Sequence, residues 1–199
     1  GVITEVSFKV LPIAETQSTL KINFCDANIL NKAINTPYDV SGTFYDVGSR
    51  VSYIRVEGFD KSVKYRIKQL LGEFSDFEVD ILEMEESKKF WQNVSNLDFL
   101  KNIKGDLWRV SVRPTDGVKI IQMLNPKVGF LDWCGGLVWL RVDEGFDVRE
   151  KMQKVAGHAM CLLGKFEQFH PISTSEKTLS NSIRKKFDPK MLLNRELLN

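Results

Sequence analysis

The sequence is poor in the residues from which metal and nucleophile sites are usually built. It contains two histidines, His158 and His170, and three widely spaced cysteines that form no CxxC pair. A metal site made of several histidines is therefore excluded, and the cysteine spacing matches no zinc motif. Widely spaced cysteines in an ordinary composition are typical of reduced thiols, which predicts a cytoplasmic protein.

Signatures of membranes, nucleic acids and nucleotide phosphates are also missing. The chain has no run of about 18 apolar residues, so no transmembrane segment is predicted. Its net charge of +2 gives no electrostatic reason to expect nucleic-acid binding. Gly135-Gly136 lacks the context of a GxGxxG or GxxxxGK[ST] loop and is interpreted as a hairpin turn. Without a GxSxG segment, a serine hydrolase is not predicted either.

What the sequence does contain is one order of elements that occurs twice. Residues 19–84 and 106–164 each predict a strand, a helix, two strands, a helix and a strand. The last helix of the second repeat is predicted over 144–156. This βαββαβ order is the ferredoxin-like unit. The predicted fold class is α+β, with two such units forming an extended antiparallel sheet whose helices lie mainly on one face.

The segments outside the repeats complete this prediction. Residues 85–100 link the repeats and are predicted to be helical around Phe90-Trp91. Residues 2–11 alternate β-forming side chains, which predicts a strand. A C-terminal helix is predicted over 174–187, with Glu176 placed for a capping box. The sheet face without helices would need a cover, which a further domain or a partner subunit would supply.

Two residues are candidates for contact with a substrate, and catalytic residues stay unassigned beyond them. Arg109 lies on a predicted strand, on the face opposite to Trp108. A sheet-mounted arginine beside a cleft suits a small carboxylate, and a structural ion pair is the alternative. His170 lies in a loop before Pro171, where it could contact substrate or transfer a proton; a structural role is its alternative.

Short motifs at both ends and in the middle of the chain resemble those of a known enzyme family. They are Gly1-Val2-Ile3-Thr4-Glu5-Val6, Asp132-Trp133-Cys134-Gly135-Gly136, Phe169-His170-Pro171 and Phe187-Asp188-Pro189-Lys190-Met191-Leu192-Leu193-Asn194. The first and last resemble segments of the FAD-linked oxidases of the vanillyl-alcohol oxidase superfamily. The internal ones resemble one branch of it, the FAD-binding E subunits of bacterial glycolate oxidases (glycolate dehydrogenases).

The resemblance implies a division into domains and a set of cofactor contacts. Residues 1–12 would end an FAD-binding domain, and residues 13–199 would form the family's C-terminal cap or substrate domain. Gly1, Val2, Ile3 and Thr4 would lie beside the adenosine part of FAD, and Asn194 near the isoalloxazine ring. Most of the FAD site would belong to the N-terminal domain of the family.

The function implied is oxidation of glycolate, or another small 2-hydroxy acid, within a multi-subunit complex. The partners implied are a catalytic flavin subunit and an iron–sulfur subunit, through which peripheral membrane association is an alternative to a free cytoplasmic location. The chain by itself is expected to be inactive. The competing interpretation is a stand-alone ferredoxin-like binding or assembly module without catalysis, since fold does not determine function.

Overall fold

The computed structural model describes residues 3–10, 12–152 and 155–193. The chain divides into two compact units. The larger comprises residues 13–170, and the smaller comprises residues 1–12 together with 171–199. No helix among the described residues is both long enough and apolar enough to cross a membrane.

The helices and strands of the larger unit follow the predicted order. They are β1 (Thr16–Ile22), α1 (Asn28–Ile34), β2 (Gly42–Asp46), β3 (Val51–Gly58), α2 (Asp60–Glu73), β4 (Val79–Leu82), α3 (Met84–Ser95), β5 (Asp106–Val112), α4 (Pro114–Leu124), β6 (Val128–Asp132), β7 (Leu137–Val142), α5 (Val148–Lys151) and β8 (Gly157–Leu163). A short 3₁₀ turn, Asp98–Leu100, follows α3, and a turn with positive φ values, Trp133–Gly135, follows β6.

The described strands form one antiparallel sheet in the order β4-β1-β3-β2-β6-β7-β5-β8. Each repeat contributes four neighbouring strands, and the repeats meet where β2 pairs with β6. Three residue pairs make that seam: Phe44 with Asp132, Tyr45 with Leu131, and Asp46 with Phe130. The predicted fold class, two ferredoxin-like units in one extended antiparallel sheet, is confirmed.

Helices α1, α2, α4 and α5 supply the main core against one face of the sheet. Helix α2 shows why: Val63, Ile67 and Leu70 recur at spacings of four and three, which places them on one face of the helix. They pack into a cluster that includes Trp108, whose side chain is fully buried on the same side of the sheet. Each such aliphatic side chain stabilises the fold by roughly 1.5–3 kcal/mol.

Helix α5 is shorter than the predicted helix over 144–156. Asp143 and Phe146 form a turn through a 3.1 Å backbone hydrogen bond, with Gly145 at φ +79°. Asp147 then accepts the backbone N–H of Arg149 at 2.8 Å. The side chain of Asp147 therefore caps the helix and delays its start.

The opposite face of the sheet is covered in its middle by the linker between the repeats. Helix α3 and the Asp98–Leu100 turn close over a second cluster in which Phe44 and Phe130 stack with their ring centroids 5.3 Å apart. Phe90 of α3 stacks on Tyr53 at 3.9 Å. The expectation that a further domain or partner must cover this face is therefore wrong for the middle of the sheet.

A buried polar chain holds α3 in place. The indole N–H of Trp91 donates to Thr19 Oγ1 at 2.9 Å, and that hydroxyl lies 2.7 Å from Ser87 Oγ. Thr19 and Ser87 are fully buried. Because buried polar groups without partners are costly, this chain favours one placement of α3 on β1.

In the smaller unit, helix α6 (Thr174–Phe187) has the predicted bounds. Its capping box is complete, since Ser173 Oγ accepts the N–H of Glu176 and the Glu176 carboxylate accepts the N–H of Ser173. Residues 3–10 contain no strand, so the strand predicted over 2–11 is wrong there. Alternating β-forming side chains make a strand only when a neighbouring strand pairs with them, and the described sheet does not include this segment.

Candidate functional site

A left-handed turn connects β6 to β7 at the predicted hairpin. Trp133, Cys134 and Gly135 have φ values of +49°, +58° and +95°. A non-glycine residue in this conformation costs roughly 1–2 kcal/mol, so the turn needs support from its surroundings. Asp132 Oδ1 accepts the N–H of Trp133 at 2.7 Å, and Thr43 Oγ1 accepts the N–H of Cys134 at 2.8 Å. Backbone strain of this kind often accompanies functional sites.

Arg109 lies beside this turn, on the sheet face opposite to the main core. Its guanidinium carbon is 5.6 Å from the ring centroid of Trp133 and 5.9 Å from that of Trp139. We call these three residues the Arg109 surface. Among the described residues, no carboxylate forms an ion pair with Arg109 and no group accepts a hydrogen bond from it. The structural ion pair considered from the sequence is therefore not formed in the described part of the chain.

Trp133 also lines a pocket of about 360 Å³. Its walls come from the segment between α1 and β2, from β3, from α3 and from the left-handed turn. We call it the Arg55 pocket. Its lining includes Arg55, Asp132, Trp91, Ile34, Val40 and Val94.

Arg55 is held in one orientation by its neighbours. Its guanidinium carbon lies 4.9 Å from the ring centroid of Trp91, and its Nε and Nη2 donate to the side chain and carbonyl of Ser41 at 3.1 and 3.2 Å. Glu57 Oε1 is 3.5 Å from Nη2. Arg55 Nη1 donates to no described residue.

Asp132 is the negatively charged group of the pocket. Burial raises its pKa above the ordinary value, while the N–H of Trp133 and the positive charge of Arg55 act in the opposite direction. The positive charge of Arg55 therefore interacts electrostatically with the carboxylate of Asp132, although the two side chains form no ion pair. Nothing in the local sequence indicated this pocket, because Arg55 and Asp132 lie in different repeats and meet only through the β2–β6 seam.

The structure gives His170 a role in holding its loop. Its Nδ1 accepts the N–H of Ala159 on β8 at 3.2 Å, and its ring centroid lies 5.4 Å from that of His158. Burial, His158 and the positive charge of Arg149 lower the pKa of His170. No described contact joins His170 to Arg109, so the two candidates are not brought together.

The residues assigned to FAD by resemblance lie at the chain ends. Ile3 is 81% exposed, and Thr4 is exposed as well. Gly1, Val2 and Asn194 lie outside the described residues.

Comparison with known proteins agrees with the motifs. No protein-family model matches the chain. It is similar to glycolate oxidase subunit GlcE of Escherichia coli (strain K12), with 28% identity over 195 residues. The match covers 95% of this chain and 51% of that protein, so the chain spans about half the length of this relative. The resemblance to the glycolate oxidase subunit is therefore confirmed over nearly the whole chain.

Proposed function

We propose that this chain is a C-terminal part of an FAD-linked oxidoreductase subunit of the glycolate oxidase type. In this proposal residues 1–12 end an FAD-binding domain and residues 13–199 form the cap domain. The similarity to GlcE over 195 residues carries the proposal.

The Arg109 surface is the proposed site for the carboxylate of a small 2-hydroxy acid. A guanidinium presents two parallel donors to a carboxylate, and Arg109 has none of its donors used by a described residue. The rings of Trp133 and Trp139 restrict its motion, which lowers the entropy lost on binding. Arg109 would bind and orient the substrate, and no proton transfer is assigned to it.

The cofactor proposed is FAD, held mostly outside this chain. The proposed contacts are Ile3 and Thr4, which are exposed, together with Gly1, Val2 and Asn194. FAD, when bound, would accept the electrons removed from the 2-hydroxy acid. The chain by itself is proposed to be inactive, with its activity depending on a catalytic flavin subunit and an iron–sulfur subunit.

The test uses the product of the complete gene, purified with its partner subunits. We expect a flavin absorbance spectrum and glycolate-dependent reduction of an artificial electron acceptor. Arg109→Gln should raise the KM for glycolate at least about tenfold without changing flavin content, because a charged hydrogen bond contributes about 1.5–3 kcal/mol. Arg113→Gln, which changes an exposed arginine, is the matched control.

Two outcomes separate this proposal from the stand-alone module. A colourless product from a complete gene of this length would contradict the flavoprotein proposal and favour a binding or assembly module. A yellow, active complex in which Arg109→Gln and Arg113→Gln behave alike would retain the flavoprotein proposal but remove Arg109 from the substrate site.

A further inference from the structure

The Arg55 pocket holds two opposite charges that do not neutralise each other. Arg55 Nη1 donates to no described residue, and one oxygen of Asp132 accepts the N–H of Trp133 while the other accepts none from the described chain. The two side chains line the same cavity without forming an ion pair. A ligand that fits between them needs an acceptor for Arg55 and a donor for Asp132.

The balance of charge around the pocket favours a zwitterion over an anion. Glu57 already lies 3.5 Å from Arg55 Nη2, so part of the arginine charge is compensated. Asp132 adds a second carboxylate at the cavity wall. A simple carboxylic acid anion would bring a further negative charge next to Asp132. An ammonium group beside Asp132 would instead compensate the cost of burying that carboxylate.

The rest of the pocket lining is mixed: Ser41, Thr43 and Ser95 contribute to it beside a set of apolar side chains. Ile34, Val40 and Val94 line it together with Trp91, whose indole N–H is already used by Thr19. The cavity volume of about 360 Å³ lies near the lower end of the range of roughly 300–1,000 Å³ for small-molecule sites. The apolar part of this wall suits an aliphatic side chain of moderate size.

We propose that the Arg55 pocket is a binding site for a small α-amino acid with an aliphatic side chain. The carboxylate of the ligand accepts from Arg55 Nη1, its ammonium group donates to Asp132, and its side chain packs against Trp91 and Val94. The site belongs to residues 13–170 alone, so it depends neither on FAD nor on the proposed oxidase activity.

The first experiment compares ligands of one shape on the purified 199-residue chain by calorimetry. Leucine, as each enantiomer, is compared with 2-hydroxy-4-methylpentanoate, 4-methylpentanoate and 3-methylbutylamine. These analogues replace the ammonium group by a hydroxyl, remove it, or remove the carboxylate. We expect one enantiomer of leucine to bind at least about tenfold more tightly than each analogue. Equal affinity for leucine and its hydroxy analogue, or no saturable binding of leucine at millimolar concentrations, would overturn the proposal.

Nuclear magnetic resonance of the indole N–H groups locates the ligand. Binding in the Arg55 pocket should shift the signals of Trp91 and Trp133. The signal of Trp108, which is buried on the other side of the sheet, should not change. Shifts of Trp133 and Trp139 without Trp91 would place the ligand on the Arg109 surface instead and would contradict the proposal.

Substitutions then test which group of the ligand Arg55 binds and which group Asp132 binds. Arg55→Gln should weaken leucine binding at least about tenfold, and Asp132→Asn should abolish the preference for leucine over its hydroxy analogue. Arg109→Gln, which changes an arginine that does not line the pocket, should leave leucine binding unchanged. Because the Asp132 test compares two ligands on one variant, a moderate loss of stability does not obscure it. A preference that survives Asp132→Asn would refute the ammonium contact.

Discussion

At the scale of single residues, the left-handed turn depends on a close approach between two glycines. A Cβ atom added to Gly117 of α4 would lie 2.0 Å from the carbonyl oxygen of Gly135, a distance that no real contact allows. The missing side chain of Gly117 lets α4 approach the turn that carries Trp133. Glycine at this helical position therefore reflects packing, although glycine costs helix stability.

We predict that Gly117→Ala lowers the free energy of unfolding by about 2–3 kcal/mol, because backbone must move to admit the methyl group. Gly72→Ala is the matched control, since Gly72 is also helical but an added Cβ there meets nothing within 4 Å. It should be neutral or stabilise by up to about 1 kcal/mol. Urea denaturation measures both changes, and equal effects of the two substitutions would contradict the close-approach argument.

At the scale of elements, the outer edge of β8 is protected by the loop that follows it. The N–H of Ala159 donates to His170, and the N–H of Cys161 donates to the carbonyl of Gln168 at 3.0 Å. Arg149 donates to the carbonyl of Ala159 and also to those of Glu167, Gln168 and Phe169. Unpaired backbone groups on an edge strand can pair with a strand of another chain. These hydrogen bonds occupy such groups on β8 and therefore disfavour that pairing.

This arrangement predicts a pH dependence of stability. The pKa of His170 lies below its ordinary value of 6.5, so between those two values the unfolded chain binds a proton that the folded chain does not. The contribution of neutral His170 to the free energy of unfolding is fully present above pH 6.5. It is lost as the pH falls through the pKa of His170 in the folded chain. His158 and Arg149 are the charged or titratable groups that oppose its protonation.

The measurement is urea denaturation between pH 7.5 and 5, values chosen around the ordinary histidine pKa of about 6.5. We expect the free energy of unfolding to fall as the pH is lowered. His170→Gln should reduce the slope of the free energy of unfolding against pH. His158→Gln is the control at the neighbouring imidazole and should reduce the slope less, because it leaves the His170 side chain and its hydrogen bond from Ala159 in place. A slope that His170→Gln leaves unchanged would assign the pH dependence to other groups.

At the scale of the whole sheet, the two repeats are joined by a short seam and an aromatic cluster. The seam consists of three residue pairs between β2 and β6. Phe44 lies at one end of the seam and contacts Phe90, Phe99 and Phe130, with ring centroids 5.7, 5.5 and 5.3 Å away. The cluster therefore connects the linker helix to strands of both repeats.

We predict that Phe44→Ala lowers the free energy of unfolding by about 3–5 kcal/mol, the usual cost of removing a buried phenylalanine side chain. The denaturant m value should fall as well, because the repeats would no longer unfold as one unit. Phe24→Ala, at a position that is 75% exposed, should change stability by less than about 0.5 kcal/mol. An unchanged m value for Phe44→Ala would show that the repeats remain coupled without the cluster.

The sequence by itself determined the features that depend on neighbouring residues. Hydrophobic periodicity and turn residues predicted the repeated βαββαβ order, the single antiparallel sheet and helix 174–187, because each signal spans only a few positions. It also indicated that Arg109 lies on a sheet face, since strand alternation decides this locally. Motifs indicated the similarity to the glycolate oxidase subunit.

Tertiary structure alone decided the features that need distant contacts. Helix α3 covers the sheet through contacts between residues far apart in the sequence, such as the hydrogen bond from Trp91 to Thr19. The segment over residues 3–10 has β propensity but no strand partner in the described sheet. The Arg55 pocket arises only when the β2–β6 seam brings Arg55 and Asp132 to one cavity. Periodicity specifies which face of an element is buried, but not which elements pair, so the sites built across that pairing appear only in the folded chain.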